Sequence, residues 1–290
     1  MKKSVGEHIF TVFNYAFLIF LSVMMLFPFF EVIKTSLSTS AEIGSLNYYF
    51  WPKKVDWSAY SQVFANRMVW IGYKNTLIRI VLALAIQMTL TIFTAYALAS
   101  RKLPHKTFWT LLILFTKFVS GGLIPRYLLV RSLGLLDTNM ALVLPDAINV
   151  FYLLIVRNFF LGIPTELEEA ASIDGAGTLR VLFMIILPLS KAIIMTLAMW
   201  ILVGSWNAWF DCLMYIQTQD KFVLQTVLRK IIIDASPQMM DMSGIDSGVK
   251  ANAEVIKCAT IIVSSLPILI VYPFVQKYFV KGTMVGAVKG

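Results

Sequence analysis

A polar stretch between two apolar blocks decides how this 290-residue chain is organised. Residues 162–188 read GIPTELEEAASIDGAGTLRVLFMIILP. Thr165 and Glu168 have the spacing of a capping box, and acidic residues cluster nearby, where the dipole of a helix favours negative charge. Gly175 is placed to end the helix with a left-handed residue. The stretch therefore predicts a short helix at about 165–175, lying at a membrane surface.

The chain on either side of this stretch is strongly apolar. Hydrophobic residues make up 58% and charged residues 14% of the sequence, against roughly 45–50% and about 25% in ordinary globular proteins. A second helix is predicted to begin near Thr178 and to kink at Pro188 as it enters the next apolar block. The net charge of +9 comes from Lys and Arg that fall mostly between apolar blocks, where they act as topology signals. We predict a polytopic protein of the lipid bilayer, with no nucleic-acid partner.

Six apolar segments are long enough to cross a bilayer, which takes about 20 predominantly apolar residues in a helix. Two of them are interrupted, one by Lys117 and Arg126 and the other by Asp146. The predicted spans are 8–30, 80–100, 107–130, 138–156, 192–210 and 258–276. We predict an all-α fold of six transmembrane helices, with the larger loops 34–74 and 211–257 on one side and both termini on the other.

Part of this stretch carries a distinctive sequence motif. The motif residues stand in this order and spacing: Glu169-Ala170-Ala171, then Gly175, then Ile185-Ile186-Leu187-Pro188. This order resembles the EAA loop of ATP-binding-cassette (ABC) importer permeases, and every element of EAA-x3-G-x9-I-x-L-P is present. The short helix is then expected to be a coupling helix, which sits in a groove on a cytoplasmic ATPase subunit.

The resemblance also implies a role for each motif residue. Glu169, Ala170, Ala171 and Gly175 would form the docking core, while Ile185, Leu187 and Pro188 would shape the return of the chain into the membrane. Small side chains suit a surface that another protein approaches closely. Because the ATPase is cytoplasmic, the resemblance places both termini on the cytoplasmic side of a bacterial inner membrane.

Residues 276–290 resemble the tail of carbohydrate-uptake permeases related to the smaller subunit of the maltose permease. In that family the glycine-rich tail reaches the interface between the two ATPase subunits, a contact that would involve Gly282, Gly286 and Gly290. Their spacing also fits a small-xxx-small packing motif of membrane helices. We favour the tail, because these glycines lie outside the last apolar span.

Two further stretches, 120–138 and 204–210, resemble the branch of this family that imports large oligosaccharides or polysaccharide fragments. We divide the chain into a first span with its outer loop, 1–70, and a five-helix permease core, 71–290. The resemblance implies the type I importer architecture and alternating access. It also implies a second related permease, two ATP-binding subunits and an extracytoplasmic solute-binding protein at the outer loops.

The chain carries no motif for chemistry of its own. It has no Gly-x4-Gly-Lys-Ser/Thr phosphate-binding loop, so ATP and Mg²⁺ are expected on the partner ATPase. His8 and His105 have no metal-site partner nearby in the sequence, and no nucleophile motif occurs. Cys212 and Cys258 lack metal or redox spacing and are interpreted as small apolar side chains. We predict a transport subunit that is not an enzyme, with no catalytic residue, metal or cofactor.

Ionisable residues inside the predicted spans are candidates for the substrate path. Lys117 and Asp146 stand where a charge is costly, which suggests a polar pathway. Each also has a structural explanation, because Lys117 fits a snorkelling position and Asp146, beside Pro145, fits the cap of a broken helix.

The end of the fifth span carries aromatic and hydrogen-bonding residues: Trp206, Asn207, Trp209 and Asp211. Their spacing predicts Trp206 and Trp209 on one helix face and Asn207 and Asp211 on another. Fixed hydrogen-bonding groups beside aromatic faces suit an uncharged sugar. An interfacial aromatic belt is the alternative for the two tryptophans.

Two other classes of function fit parts of the sequence. An ion-coupled secondary transporter would use Lys117 and Asp146, but it predicts paired repeats with interrupted helices, and no second copy is visible. A membrane-embedded enzyme needs a catalytic cluster at one interface, and the acidic cluster at 166–169 is better explained by the start of a helix. The importer permease accounts for more of the chain.

Overall fold

The computed structural model describes residues 5–43, 49–234 and 247–287, and every regular element within these ranges is a helix. The chain divides into two compact units, Met1–Arg67 with Leu228–Leu266 and Met68–Val227 with Pro267–Gly290. The boundary at Arg67 lies close to the sequence-based division at residue 70. The first unit also includes residues 228–266, which that division assigns to the permease core.

The helices follow one another along the chain with short connections. In order they are α1 (Val5–Ser36), α2 (Ser40–Ile43), α3 (Ser58–Ala65), α4 (Arg67–Ala83), α5 (Thr89–Ala99), α6 (Lys106–Phe118), α7 (Leu123–Ser132), α8 (Val150–Leu161), α9 (Thr165–Ile173), α10 (Thr178–Val181), α11 (Leu187–Leu189), α12 (Lys191–Asn207), α13 (Phe210–Tyr215), α14 (Leu224–Asp234) and α15 (Ser247–Ala287). π-helical turns join α4 to α5 (Leu84–Met88) and α10 to α11 (Leu182–Ile186), and 3-10 turns occupy Asn139–Leu142, Leu144–Asp146 and Gln219–Lys221.

The apolar helices form six membrane spans. Three are continuous by length and composition: Gly6–Ser36, Arg67–Ala99 and Asn252–Val271. Three others are bent helix pairs, each counted as one span: Lys106–Phe118 with Leu123–Ser132, Asn139–Asp146 with Val150–Leu161, and Thr178–Leu189 with Lys191–Asn207. The all-α class and the count of six spans are therefore confirmed.

The two spans that the sequence analysis describes as interrupted by charged residues are bent helix pairs in the structure. Helices α6 and α7 meet at 110°, and Gly122, the residue before α7, has a φ of 88° that a glycine adopts without strain. The span ending in α8 bends by 54°, and its break is capped by Asn149, whose Oδ1 accepts the N–H groups of Phe151 and Tyr152 at 3.0 and 3.3 Å. Hydropathy alone misses such breaks, because it counts apolar residues and not backbone hydrogen bonds.

The fifth span bends where proline interrupts the helix. The segments Thr178–Leu189 and Lys191–Asn207 meet at 85°, directly after Pro188, in agreement with the kink predicted there. Ser190 stands at the bend and is fully buried. Its N–H bonds both the Ile186 and Leu187 carbonyl groups, at 2.9 and 3.1 Å.

The second span begins earlier than residue 80, where the sequence analysis starts it. The prediction is wrong because it treats Arg79 as the end of the span, on the ground that a lone charge is costly in a membrane. In the structure Arg79 lies inside α4 and is paired with Asp211.

The second unit has its apolar core between α5, α8 and the helices α10 to α12. Leu153, Leu182, Ile186 and Leu197 are completely buried there. Tyr96 of α5 and Phe160 of α8 meet edge to face, with ring centroids 6.4 Å apart.

The first unit is built around α1 and the segment that follows it. The side chains of α1 are apolar, and its most apolar window is not buried within the chain, so they are available to lipid. Polar contacts fix the end of the helix: Ser36 Oγ lies 2.8 Å from the Tyr60 hydroxyl, and Ser40 Oγ donates to Asn252 Oδ1 at 3.3 Å.

Candidate functional site

The short helix predicted at about 165–175 is present as α9, but it begins differently from the prediction. Thr165 is the first helical residue, and Pro164, with extended backbone angles of −57° and 130°, occupies the N-cap position. No side chain caps this end. The predicted capping box of Thr165 and Glu168 is therefore wrong, because a residue already inside the helix is not its N-cap.

Gly175 ends α9 in the left-handed conformation, with a φ of 78°, as the sequence predicts. The N–H of Ala176 bonds the Ala171 carbonyl at 2.9 Å, and the N–H of Gly175 bonds the Ser172 carbonyl at 3.1 Å. These two bonds are those of a Schellman motif. A Cβ atom at Gly175 meets nothing within 4 Å in this chain, so the backbone conformation and not internal crowding favours glycine here.

The motif residues divide between the core and the surface. Ala171, Ile185 and Leu187 of the motif pack against the apolar core of the second unit, as does the neighbouring Ala176. The exposed members of the motif are Glu169, Ala170, Gly175 and Pro188. Ile173, at the end of α9, is 87% exposed. One side of the segment is thus packed on the membrane helices, while small, acidic and apolar groups on the other side are exposed.

A second site of interest is a polar cavity of about 410 Å³ at the C-terminal end of α12, the end remote in sequence from the coupling segment. Its charged lining consists of two arginines and two aspartates, and its aromatic lining includes two tryptophans and two tyrosines. These residues are Arg79, Arg126, Asp146, Asp211, Trp200, Trp209, Tyr152 and Tyr215.

The four charges form two ion pairs. Arg79 and Asp211 make two parallel hydrogen bonds, with Nη1 donating to Oδ1 at 3.1 Å and Nη2 donating to Oδ2. Arg126 Nη2 donates to Asp146 Oδ2 at 2.5 Å. The first pair is largely buried, whereas the side chains of Arg126 and Asp146 are 41% and 65% exposed.

Aromatic faces complete the cavity. Tyr152 and Trp200 stack with centroids 5.0 Å apart and planes 22° from parallel. Tyr215 stacks on Tyr127 at 6.4 Å, which holds the Tyr215 ring in place. A cavity that combines aromatic faces with a few fixed polar groups is suited to a polar, ring-containing ligand.

Four of the six residues predicted for the substrate path line this cavity, and two do not. Asp146, Asn207, Trp209 and Asp211 are part of the lining. Trp206 is buried and contacts Tyr73, with centroids 6.1 Å apart. Lys117 is exposed on α6 and is not part of the lining.

The predicted helix faces at the end of the fifth span are wrong. Helix α12 ends at Asn207, Ala208 is extended, and α13 begins at Phe210, so no common helix face joins Asn207 to Asp211. Asp146 lies in a 3-10 turn and pairs with Arg126. The cap of the broken helix is Asn149 and not Asp146.

Some predicted residues fall at or beyond the limits of the described chain. The backbone at Gly282 and Gly286 belongs to α15, and Gly290 lies outside the described residues. Residues 235–246 of the predicted loop 211–257 also lie outside them. The tail and binding-protein contacts remain predictions.

Arg79, Tyr152 and Trp200 also line the cavity, although their positions in the sequence did not predict it, and so does Arg126, which the sequence indicated as an interruption of a span. The sequence did contain one indication for the two arginines. Arg79 and Arg126 each stand beside apolar sequence, where a charged side chain requires a counter-ion. The identity of that counter-ion depends on contacts between distant segments. In the described part of the chain, no group of three or more His, Cys, Asp or Glu side chains is placed to hold a metal ion.

Comparison with known proteins identifies the family. No protein-family model matches the chain. The polygalacturonan/rhamnogalacturonan transport system permease protein YtcP of Bacillus subtilis is 39% identical over 287 residues, which cover 98% of this chain and 99% of that protein. Protein LplC of the same organism is 40% identical over 294 residues, covering 100% and 98%. The chain belongs to the carbohydrate-uptake ABC transporter permeases.

A solved structure supports this membership of the ABC permeases. A bacterial ABC transporter involved in the import of the acidic polysaccharide alginate contains a chain that matches with a TM-score of 0.84 and 28% identity, over 96% of this chain and 99% of that one. The fold is therefore shared along nearly the whole length of both chains. The chain is therefore assigned to this family in preference to the two alternatives, an ion-coupled secondary transporter and a membrane-embedded enzyme.

Proposed function

We propose that this permease forms one half of an importer that carries oligosaccharides or polysaccharide fragments across the bacterial cytoplasmic membrane. A second related permease would form the other half, and two ATP-binding subunits would bind the coupling helices on the cytoplasmic side. A solute-binding protein would deliver the sugar to the outer loops. The names of the similar proteins, which refer to polygalacturonan, rhamnogalacturonan and alginate, support a saccharide as the substrate.

The observation that carries this proposal is the two-sided coupling segment. Ala171 and Ala176 are packed on the membrane core, while Glu169 and Ile173 of the same helix face outward. A movement imposed on the outer side is therefore transmitted to α5, α8 and α12 through packed side chains, since close-packed interiors transmit displacement. In the proposed complex ATP and Mg²⁺ are bound by the partner ATPase, and this chain contributes no ATPase site.

The proposal also fixes the orientation of the chain. If α9 meets a cytoplasmic ATPase, an even number of spans places both termini on the cytoplasmic side. The cavity at the other end of α12 would then lie toward the outer half of the membrane. Alternating access would expose this cavity first to the binding protein and later to the cytoplasm.

The test is ATP hydrolysis by the complete complex in lipid, with and without sugar-loaded binding protein. Glu169→Lys reverses a charge on the docking surface and Gly175→Asp adds one, while the controls Glu169→Gln and Gly175→Asn introduce no new charge at these positions. We expect the charged variants to lose most of the sugar-stimulated hydrolysis, with the neutral controls retaining more of it. Stimulation that survives in both charged variants contradicts the proposal.

A matched stability measurement separates coupling from folding. In this chain a side chain at Gly175 meets open space, and asparagine and aspartate tolerate the left-handed conformation better than most residues. The thermal midpoints of the four purified variants should therefore lie close together. Loss of coupling without loss of stability assigns the effect to the partner contact.

A further inference from the structure

The two ion pairs of the cavity differ in how firmly each is held. Arg79 is 5% exposed, binds Asp211 through two hydrogen bonds, and Asp211 Oδ1 also accepts the N–H of Cys212 at 2.9 Å. Arg126 and Asp146 share one hydrogen bond, and Asp146 is 65% exposed. Exposed single-contact pairs contribute little to stability, and buried hydrogen-bonded pairs are costly to break. Of the two arginines, only Arg126 can therefore exchange its carboxylate partner at low cost.

Arg126 also has hydrogen-bonding capacity that Asp146 does not use. Its Nε–H is buried and has no hydrogen-bond partner among the described residues. A guanidinium group presents five N–H donors in a planar fork and binds a carboxylate best through two parallel bonds. The contact with Asp146 is a single bond, so a second carboxylate that takes two donors of Arg126 forms the stronger pair.

We propose that Arg126 recognises the carboxylate of an acidic sugar residue, which displaces Asp146 and takes its place. This inference rests on the proposed import of saccharides and names their chemical class: oligosaccharides that contain uronate residues. Arg126 is then a specificity-determining residue of the cavity. Asp146 is the internal group that occupies Arg126 between transport cycles.

The exchange at Arg126, rather than the net charge of the cavity, distinguishes an acidic ligand from a neutral one. The two arginines and two aspartates balance, so the resting cavity has no net charge. A uronate that replaces Asp146 at Arg126 keeps the guanidinium paired while Asp146, already mostly exposed, turns toward water. A neutral sugar offers no charge to Arg126 and leaves the Arg126–Asp146 pair in place.

The position of Arg126 suits a sugar ring. The stacked pair of Tyr152 and Trp200 lines the same cavity and offers an aromatic face to the C–H face of a pyranose. Asn149 and Asn207 add polar side chains to the lining, although Asn149 Oδ1 is already engaged as a helix cap. The cavity therefore combines a cation for the carboxylate with an aromatic face for the ring.

The experiment compares uptake of two matched sugars by the complete complex in proteoliposomes. The probes are trigalacturonate and its fully methyl-esterified form, which have the same length and rings but differ in charge. The variants are Arg126→Gln, Asp146→Asn and the control Arg131→Gln, an exposed arginine of the same helix that does not line the cavity. For each sugar, the uptake by a variant is divided by the uptake by the wild type. The preference of the binding protein for one of the sugars then cancels.

Opposite effects of the two cavity variants are expected. For trigalacturonate, Arg126→Gln should raise the half-saturating concentration about tenfold or more, as expected for the loss of hydrogen bonds to a charged group. Asp146→Asn should lower it, because the internal competitor is gone. Neither variant should change the half-saturating concentration of the ester by a similar factor. Arg131→Gln should give the wild-type value for both sugars.

Three results would overturn the proposal. The first is that Arg126→Gln and Asp146→Asn impair both sugars alike, which indicates a purely structural pair. The second is that neither variant alters uptake of trigalacturonate, and the third is that the wild type imports neutral oligosaccharides but not trigalacturonate. In each case the proposed import function stands as long as Glu169→Lys or Gly175→Asp abolishes sugar-stimulated hydrolysis. If stimulation survives in both variants, the proposed function fails instead.

Discussion

Arg79 and Asp211 stand 132 positions apart in the sequence and join helix α4 to helix α13 through two parallel hydrogen bonds. Arg79 is 5% exposed and lies within the apolar span Arg67–Ala99, near the end of α4. The pair closes one wall of the polar cavity. A charge that on its own would be expelled from a membrane span is thereby retained inside it.

This geometry predicts a large stability loss on removing either partner alone. Breaking a buried pair leaves one charge uncompensated and costs about 3–5 kcal/mol. We expect Arg79→Met and Asp211→Leu each to lower the thermal midpoint of the purified chain strongly. The double variant should recover much of the loss, because it leaves no unpaired charge.

The Arg126–Asp146 pair provides the internal control for this comparison. Both side chains are substantially exposed, so Asp146→Asn should cost about 1 kcal/mol or less. Equal losses from Asp146→Asn and Asp211→Leu would contradict the distinction between the two pairs.

The sequence predicted the elements that depend on local residues. The helix at α9, its end at Gly175 and the bend after Pro188 follow from glycine and proline chemistry within a few positions of the chain. The six spans follow from length and hydropathy. These features need no knowledge of distant contacts, because each is set by the backbone preferences of the residues present.

The cavity depends on contacts between distant segments, which the spacing of residues in the sequence does not reveal. The start of the second span was misplaced because Arg79 finds its partner in α13, and the helix faces of Asn207 and Asp211 were wrong because the chain turns at Ala208. Trp206 and Trp209 look equivalent in sequence, but the break between them buries the first against Tyr73 and turns the second into the cavity. Such outcomes depend on tertiary packing.

Ser190, at the bend before α12, has a buried hydroxyl with no hydrogen-bond partner among the described residues. An unsatisfied buried hydroxyl costs about 1–3 kcal/mol, so Ser190→Ala should leave stability unchanged or increase it. Thr76→Val is the contrasting variant, because Thr76 Oγ1 accepts the N–H of Leu224 at 2.9 Å in a buried position. Thermal unfolding in detergent should show a loss for Thr76→Val only. A clear loss for Ser190→Ala would mean that its hydroxyl has a partner in the folded protein.

Asp137 predicts a pH dependence of stability. Its carboxylate accepts hydrogen bonds from Lys221 Nζ at 2.8 Å and from the N–H groups of Thr218 and Gln217 at 3.0 and 3.1 Å. These donors, Lys221 first, lower the pKa of Asp137 well below its ordinary value of 3.8. A lowered carboxyl pKa contributes stability that is complete above the unfolded pKa and is lost as the pH falls through the folded pKa.

The corresponding variant is Asp137→Asn. It should lower the thermal midpoint at pH 7 by an amount that stays constant down to about pH 5 and shrinks below about pH 4, where Asp137 of the unfolded chain takes up a proton that the folded wild type does not yet bind. Asp220→Asn, which changes an exposed carboxylate in the 217–221 segment that Asp137 contacts, is the control and should have little effect. A difference between wild type and Asp137→Asn that grows on acidification would refute the assignment.

Gly72 predicts a steric effect where α4 touches the start of α14. A Cβ at Gly72 would lie 2.9 Å from Leu224 Cα and 3.2 Å from its nitrogen, closer than backbone atoms allow. Beside it, Asn75 Nδ2 donates to the carbonyl groups of Asp220 and Phe222 at 2.9 and 3.0 Å. Gly72→Ala must push this segment away from α4 and should cost about 1–3 kcal/mol, the usual range for overpacking.

The matched control for Gly72→Ala is Gly204→Ala in α12. A Cβ at Gly204 meets nothing within 4 Å, so this variant should gain about 0.5–1 kcal/mol from the better helix propensity of alanine. The two substitutions are chemically identical and both lie in helices, so their difference in thermal midpoint measures the contact with Leu224 alone. A gain of stability in both variants would contradict the close approach of α4 and α14, which the 2.9 Å distance to Leu224 implies. It would also contradict the hydrogen bonds that Asn75 and Thr76 make to the 220–224 segment.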